Sequence, residues 1–266
     1  MDALRRTLHT MVAEGACIAF SGGVDSSILL QISCQEGKKL GKPVYAVTFE
    51  TKLHPCADLA IAQSVAQETG AIHHVIAVNE LDNPAMLQNP IDRCYQCKKY
   101  LFATLVDFAK QHHLPHIIDG TNADDLTVYR PGIKALRELG IVSPLAELGI
   151  SKAQVRDLAS AMGLSVSNRP SAPCLATRLP YNTPIDFDTL HQIDLGETYL
   201  KDMGFAVCRI RLHGDIARIE IPKADFPQFL AKQEPIVLHL KHLGFPYVTL
   251  DLEGFRSGSM DIHLTR

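Results

Sequence analysis

Apolar and polar positions along this chain recur with two periods. The short apolar runs "ACIAF" (16–20), "PVYAVTF" (43–49), "IHHVIAV" (72–78) and "HIIDG" (116–120) read as buried strands. Between them lie runs of helical period: Ile28, Leu29 and Ile32, then "PCADLAIAQSVAQETG", then "KKYLFATLVDFAKQH". Such alternation predicts an α/β fold, a parallel sheet with helices on both faces. "IVSPL" next leads into "SKAQVRDLASAMG", where Ser151 and Gln154 have capping-box spacing and Gly163 suits a C-terminal cap. Four prolines (Pro170, Pro173, Pro180, Pro184) exclude a helix over 164–184, leaving an ordered active-site loop or a linker. The spacing therefore predicts a first domain over 1–170 and a smaller α+β domain over 171–266. The latter holds the helical "FDTLHQIDLGETYLKDMG" and a hairpin, "VCRIRLH" and "IARIEI" around Gly214-Asp215. Arg209, Arg211 and His213 share one face of it, opposite Cys208, Ile210 and Leu212. That face is either solvated charge with a cross-strand Arg–Glu pair or a receiver of an anionic substrate.

One polar interruption carries chemistry. "FSGGVDSSILL" (20–30) puts Ser21, Gly22 and Gly23 where a strand ends and a helix begins, and there unpaired N–H groups and the helix dipole favour an anion. Glycines let the main chain approach phosphate oxygens, and Ser26 and Ser27 are placed to cap the helix and to donate to a ligand. No lysine follows the glycines and no dinucleotide fingerprint is present, so neither standard loop applies. A plain tight turn is the bland alternative. "SGGVDS" resembles the pyrophosphatase (PP) loop of N-type ATP enzymes, which cleave ATP between the α and β phosphates and adenylate a second substrate. Ligands of open α/β sheets bind beyond the carboxyl ends of the strands. Asp119, Gly120, Thr121, Asn122 and Asp124 are therefore expected at the same crevice, with Asp25, Asp124 and Asp125 as possible carboxylates for Mg²⁺.

Composition narrows the partners. The chain has 266 residues, a formal net charge of −3 and 46% hydrophobic residues, ordinary for a globular protein and without a general pull toward nucleic acid. "MDALRRTLHTMVAEG" reads as an amphipathic helix rather than a secretion signal, and no apolar run reaches the ~20 residues of a membrane span. A cytoplasmic protein acting on a small molecule is expected, with no membrane or nucleic-acid partner. Seven cysteines in a reducing compartment do not imply disulfides. Cys17, Cys34, Cys56 and Cys208 read as buried or indifferent. Cys94 and Cys97 differ: "DRCYQCKK" places C-x-x-C spacing at a helix start beside Arg93, Lys98 and Lys99, conditions that favour thiolates. With Cys174 of "RPSAPCLATRLPY" they supply three thiolates and leave a metal position open. A redox dithiol would leave Cys174 unexplained, and zinc would want a fourth ligand, for which His73-His74 and His112-His113 are poorly placed. An iron–sulfur cluster is the sharpest reading.

The succession "RCYQCK", "DGTNADD", "YRPG", "PCLATRLPY", "RIRLHGDIARIEI" and "FRSGSM" resembles, over essentially the whole chain, the LarE family of ATP-dependent sulfur transferases. That resemblance implies adenylation of the carboxylates of a pyridinium-3,5-biscarboxylic acid mononucleotide and their conversion to thiocarboxylates for the nickel-pincer nucleotide cofactor. It implies that Ser21, Gly22, Gly23, Asp25 and Ser26 hold ATP phosphates. Arg209, Arg211, Glu197, Glu220 and Arg256, with Lys98, Arg130 and Arg178, would line the phosphate or substrate pocket. Some members sacrifice one cysteine's sulfur, matching Cys174; others use three, matching Cys94, Cys97 and Cys174, for a [4Fe-4S] cluster that carries an extra sulfide. Similar proteins form homo-oligomers. Thr177 stands where serine is expected. Transfer-RNA thiolation and a nucleotide-binding regulator without turnover are the rivals.

Overall fold

The computed structural model describes residues 1–128, 130–256 and 258–261. The chain divides into two compact units. The first comprises Met1–Lys52, Cys56–Pro84 and Asp92–Ser171, and the second comprises Leu53–Pro55, Ala85–Ile91 and Ala172–Arg266.

In the first unit α1 (Asp2–Glu14), β1 (Ala16–Ala19), α2 (Val24–Leu40), β2 (Tyr45–Glu50), α3 (Ala57–Thr69), β3 (Ile72–Ala77), α4 (Arg93–Gln111) and β4 (His116–Ile118) follow in order. Then come α5 (Gly132–Glu138), α6 (Pro144–Glu147) and α7 (Lys152–Ala161). The strands form one parallel sheet in the order β3-β2-β1-β4. Its inner strands β1 and β2 are mostly buried because both faces are covered, whereas the edge strand β3 has no buried position. Ile18, Ala46 and Ile118 pack with Leu4, Leu8, Val12, Ile28 and Leu29 on one side. Cys17 and Val47 pack with Leu101, Leu105 and Phe108 of α4 on the other. The run "IVSPL" shrinks to one parallel bridge, Val142 to Ile118, before Pro144 opens α6. Ser151 and Gln154 form the full capping box of α7, and Gly163 takes a left-handed φ of 72° just after it.

The second unit contains α8 (Phe187–Asp202), β5 (Arg209–His213), β6 (Ile216–Glu220), α9 (Phe226–Ala231), α10 (Gln233–His242) and β7 (Tyr247–Leu250). Its sheet runs β5-β6-β7, antiparallel then parallel. Ile210, Ala217 and Ile219 are fully buried, as are Leu190 and Ile193 of α8 and Ile236 and Leu240 of α10. Gly196 lets this packing close, since a Cβ there would sit 2.7 Å from Ile210 Cδ1. The detours over 53–55 and 85–91 are pinned within this unit by backbone bonds, Leu175 N–H to Leu53 O (2.7 Å) and Ile185 N–H to Leu87 O (2.9 Å). Among the described residues no helix is long and apolar enough to cross a membrane.

Candidate functional site

The glycine loop lies beyond the carboxyl end of β1, as the switch-point rule requires. Phe20 N–H donates to Val47 O (2.8 Å), and the Thr48 hydroxyl donates to Phe20 O (2.7 Å) while its oxygen meets His73 Nε2 at 2.8 Å. The root of the loop is therefore tied to β2 and β3. Gly22 adopts φ 67°, and a Cβ on it would stand 2.9 Å from Ala62 N of α3. No L side chain suits that place. Helix α2 starts at Val24 with Gly23 as N-cap and no side-chain cap. This corrects the expectation for Ser26 and Ser27. Ser26 Oγ turns back into the loop instead, donating to Gly23 O (3.2 Å), accepting from Ser21 N–H (3.3 Å) and meeting Ser21 Oγ at 3.3 Å. Gly23 N–H donates to Ser21 Oγ (3.3 Å). Ser27 is wholly buried with its hydroxyl unpaired.

A second loop, following β4, closes on the first. A Cβ on Gly120 would meet Ser26 N at 3.0 Å and Asp25 Cβ at 3.2 Å, so glycine allows the two loops to touch. Thr121 donates its hydroxyl to Asp119 Oδ2 (2.7 Å), which Lys98 Nζ approaches at 3.4 Å. Asn122 donates to Asp25 Oδ1 (3.1 Å), Asp125 accepts from Asn122 N–H (3.1 Å) and pairs with Arg130 (2.8 Å), and Asp124 accepts from Lys152 N–H (2.9 Å). The predicted ATP residues Ser21, Gly22, Gly23, Asp25, Ser26, Gly120, Thr121 and Asp124 thus form one contiguous polar surface in the first unit, with Lys98 and Arg130 at its border. Two cations there were not expected. Lys152 Nζ pairs with Asp25, and Arg169 donates to Gly22 O (3.2 Å) and to Asp58 of α3 (2.5 Å). Lys152 had a local signal: it occupies the first turn of α7, where the helix dipole disfavours a cation.

Cys94 and Cys97 occupy the opening turns of α4, Cys94 exposed and Cys97 half-buried against the α4 face of the core. Gly132 brings α5 against this turn, since its Cβ would meet Lys98 Cδ at 2.9 Å and Cys94 O at 3.3 Å. Of the three expected cations, Arg93 lies 3.8 Å from Cys94 Sγ. The lysines are directed elsewhere, Lys98 to Asp119 and Lys99 to Tyr95 (2.9 Å) and Glu138 (3.1 Å). Burial pushes the Cys17 and Cys208 thiols up to about 12 and Cys34 up to about 11, which leaves them inert at neutral pH. Cys174 belongs to the second unit.

There the arginines of β5 are buried, not solvated: Arg209 is 7% and Arg211 5% exposed. The exposed-charge reading of that strand is corrected. In the β5–β6 register Glu220 faces Arg209 and Arg218 faces Arg211, yet Glu220 bonds diagonally to Arg211 (3.2 Å), along its own strand to Arg218 (3.1 Å), and to Ser259 Oγ (2.6 Å). Arg256 and Arg218 share Asp251 (3.1 and 2.7 Å). Arg178 and Glu197, each side chain 1% exposed, form a two-pronged pair. Burial and the neighbouring Arg178 charge both push Arg209 below its ordinary range; burial also pushes Arg211 down, although Glu220 offsets part of it. Buried guanidiniums in electrostatic deficit are an arrangement that an incoming phosphate or carboxylate relieves. Tyr129 of "YRPG" and Ser257 of "FRSGSM" lie outside the described residues.

The residues fit the implied metals in part. Asp25 and Asp124 offer the hard oxygen donors that Mg²⁺ prefers, and Cys94 and Cys97 stand three residues apart in the opening turns of α4. The third thiol, Cys174, is carried by the other unit. Within either unit, among the described residues, no three His, Cys, Asp or Glu side chains gather as a metal site.

Comparison with known proteins agrees on fold and family. Residues 1–127 match the asparagine synthase family model. An NMN synthetase from Francisella tularensis superposes over 76% of this chain and 86% of its own, with a TM-score of 0.50 at 17% identity, a likeness of fold. An uncharacterized Synechocystis protein is 40% identical over 95% of this chain and 94% of its own. The pyridinium-3,5-bisthiocarboxylic acid mononucleotide synthase of Lactiplantibacillus plantarum is 37% identical over 100% of this chain and 98% of its own. Identity of that degree through nearly the full length of both proteins places the chain in one family with the synthase, and it belongs to the LarE family of ATP-dependent sulfur transferases.

Proposed function

We propose that this protein adenylates the carboxylates of a pyridinium-3,5-biscarboxylic acid mononucleotide and converts them to thiocarboxylates in the synthesis of the nickel-pincer nucleotide cofactor. The observation that carries the reading is the similarity to the Lactiplantibacillus synthase, which extends over the whole chain. The first unit is assigned ATP and the second unit the substrate's phosphate.

In this reading the loop amides of residues 21–26 and the N-terminus of α2 cradle the pyrophosphate, with Lys152 and Arg169 supplying positive charge beside it. Mg²⁺, held by Asp25 and Asp124, would neutralise further charge on the leaving group. A substrate carboxylate oxygen bonds to the α-phosphorus as the bond to the bridging oxygen breaks, and pyrophosphate departs. The acyl adenylate then loses AMP to a sulfur nucleophile at the carbonyl carbon, leaving a thiocarboxylate. The protein's share is alignment and charge stabilisation. Arg209 and Arg211 would anchor the phosphate, with Glu220, itself held by Arg218, keeping the Arg211 guanidinium in place. Cys94, Cys97 and Cys174 would hold a [4Fe-4S] cluster, which when bound supplies the transferable sulfide. We infer a cytoplasmic homo-oligomer.

The test is anaerobic reconstitution with iron and sulfide, followed by absorption spectra, pyrophosphate release and mass detection of thiocarboxylate for each Cys→Ala variant. All three variants should lose multiple turnovers and cluster absorbance. Should Cys94→Ala and Cys97→Ala keep turning over while only Cys174→Ala is dead, Cys174 is a sacrificial donor and no cluster serves the reaction.

A further inference from the structure

The Arg178–Glu197 pair lies wholly inside the second unit. Arg178 is among the largest wholly buried side chains of the protein. Its Nε and Nη2 donate to the two oxygens of Glu197, both at 2.8 Å, and Glu197 Oε1 also accepts Ile210 N–H (3.0 Å). Burial alone would penalise both charges, but the bonds and charge of each partner outweigh it, holding the Glu197 carboxyl below and the guanidinium above their ordinary ranges. A buried pair of this kind seldom stabilises a fold better than apolar residues of the same volume. Its use must be sought in what else it touches.

The remaining edge of the guanidinium is turned on the residues around Cys174. Nη1 donates to Pro173 O (2.9 Å) and Cys174 O (3.2 Å) and meets Thr177 Oγ1 at 2.9 Å. The Cys174 carbonyl also accepts the Thr177 hydroxyl (2.7 Å) and the Thr177 N–H (3.1 Å), while Thr177 O accepts from Arg211 Nη1 (2.8 Å). The half-buried thiol therefore stands at the start of a 3-10 turn whose backbone is gripped from inside by one arginine. Threonine in place of the expected serine keeps the hydroxyl that completes this grip.

We propose that Arg178 and Glu197, in place of the pocket-lining role the resemblance implies for them, are positioning residues for Cys174, fixing the turn that presents its sulfur without contacting substrate. This rests on Cys174 taking part in sulfur delivery, as in the proposed function. The role differs from pocket lining in a measurable way, because a clamp on the thiol leaves adenylation intact.

The experiment compares wild type, Arg178→Lys and the double apolar replacement Arg178→Met with Glu197→Leu, which keeps volume and removes both charges. Three quantities are read on the full protein: pyrophosphate release against substrate concentration, thiocarboxylate formation, and the rate of Cys174 alkylation by iodoacetamide mapped by peptide mass. Both variants should release pyrophosphate with a KM within about twofold of wild type. Thiocarboxylate formation should fall about tenfold or more, and the Cys174 alkylation rate should change severalfold. A rise in substrate KM with a parallel loss of adenylation would return the pair to the substrate pocket and overturn the proposal. So would alkylation and sulfur transfer that both stay at wild-type rates. If the double variant does not fold, Arg178→Lys, which keeps the charge but loses the fork, decides between the same two outcomes. If wild type forms no thiocarboxylate, the proposed function fails, while the alkylation rates still decide whether the pair controls the thiol.

Discussion

The two polar sites of this protein are built in opposite ways. In the first unit the candidate site is made by the main chain: a left-handed glycine, a helix start without a side-chain cap, and a second loop that touches the first because Gly120 lacks a side chain. In the second unit the candidate site is made by side chains, arginines driven into the interior against their charge preference and steadied by Glu197, Glu220 and Asp251. The main-chain site offers many weak, fixed dipoles; the side-chain site holds a few strong, buried charges. A backbone site should fail through geometry and a guanidinium site through charge.

The sharpest way to break this contrast is Gly22→Ala. The residue needs φ 67° with a Cβ 2.9 Å from Ala62 N, so the loop must shift, and ATP-dependent pyrophosphate release should drop about a hundredfold with helix content unchanged by circular dichroism. Near-normal release would mean that the loop's shape is not what binds ATP. In the second unit Arg211→Ala should raise the substrate KM about tenfold to a hundredfold and leave the ATP KM nearly constant, since it removes a charge-assisted contact to one ligand only. A joint loss would show that the units do not divide the two ligands. A smaller effect is expected of Lys152→Met, about fivefold on ATP affinity and shrinking as salt is added, because this partly exposed lysine acts by charge. Titration calorimetry at two ionic strengths reads it directly.

How far each site was legible in the sequence follows from the same contrast. A main-chain site is local: the strand, the glycines and the helix are consecutive, so residues 16–40 declare it, and the capping box of α7 and the helix start at Cys94 are equally plain. What eluded the pattern was non-local. Lys152 and Arg169 reach the loop from more than a hundred residues away, and nothing near Ser27 says that its hydroxyl turns inward unpaired. The strand Arg209–His213 alternates as a half-solvated strand does, and its periodicity is silent about Thr177 and Phe255, which meet Arg211 and Arg209 on the charged side. Burial of a charged face is a property of what folds over it, which two-residue periodicity does not encode.

The mildest test sets a satisfied buried charge beside the frustrated ones. Glu36 of α2 receives Lys39 (2.7 Å), His9 (3.0 Å) and Arg5 (2.6 Å), and these bonds, Lys39 first, hold its carboxyl down at about 2. A carboxyl whose folded pKa lies below its unfolded value stabilises the fold above the unfolded value, near 4.5, and that stability is lost as pH falls through about 2. Glu36→Gln should therefore cost about 2 kcal/mol at pH 7, after discounting for the exposed ends of Lys39 and Arg5. The difference from wild type should shrink below pH 4 and vanish near pH 2 in denaturant titrations. Pyrophosphate release at neutral pH should not change, because this carboxylate only binds α1 to the helix that carries the loop. A loss of release at full stability would instead place Glu36 in the electrostatics of the nucleotide site, and the division between charges that fold and charges that bind would no longer follow the degree to which each is satisfied.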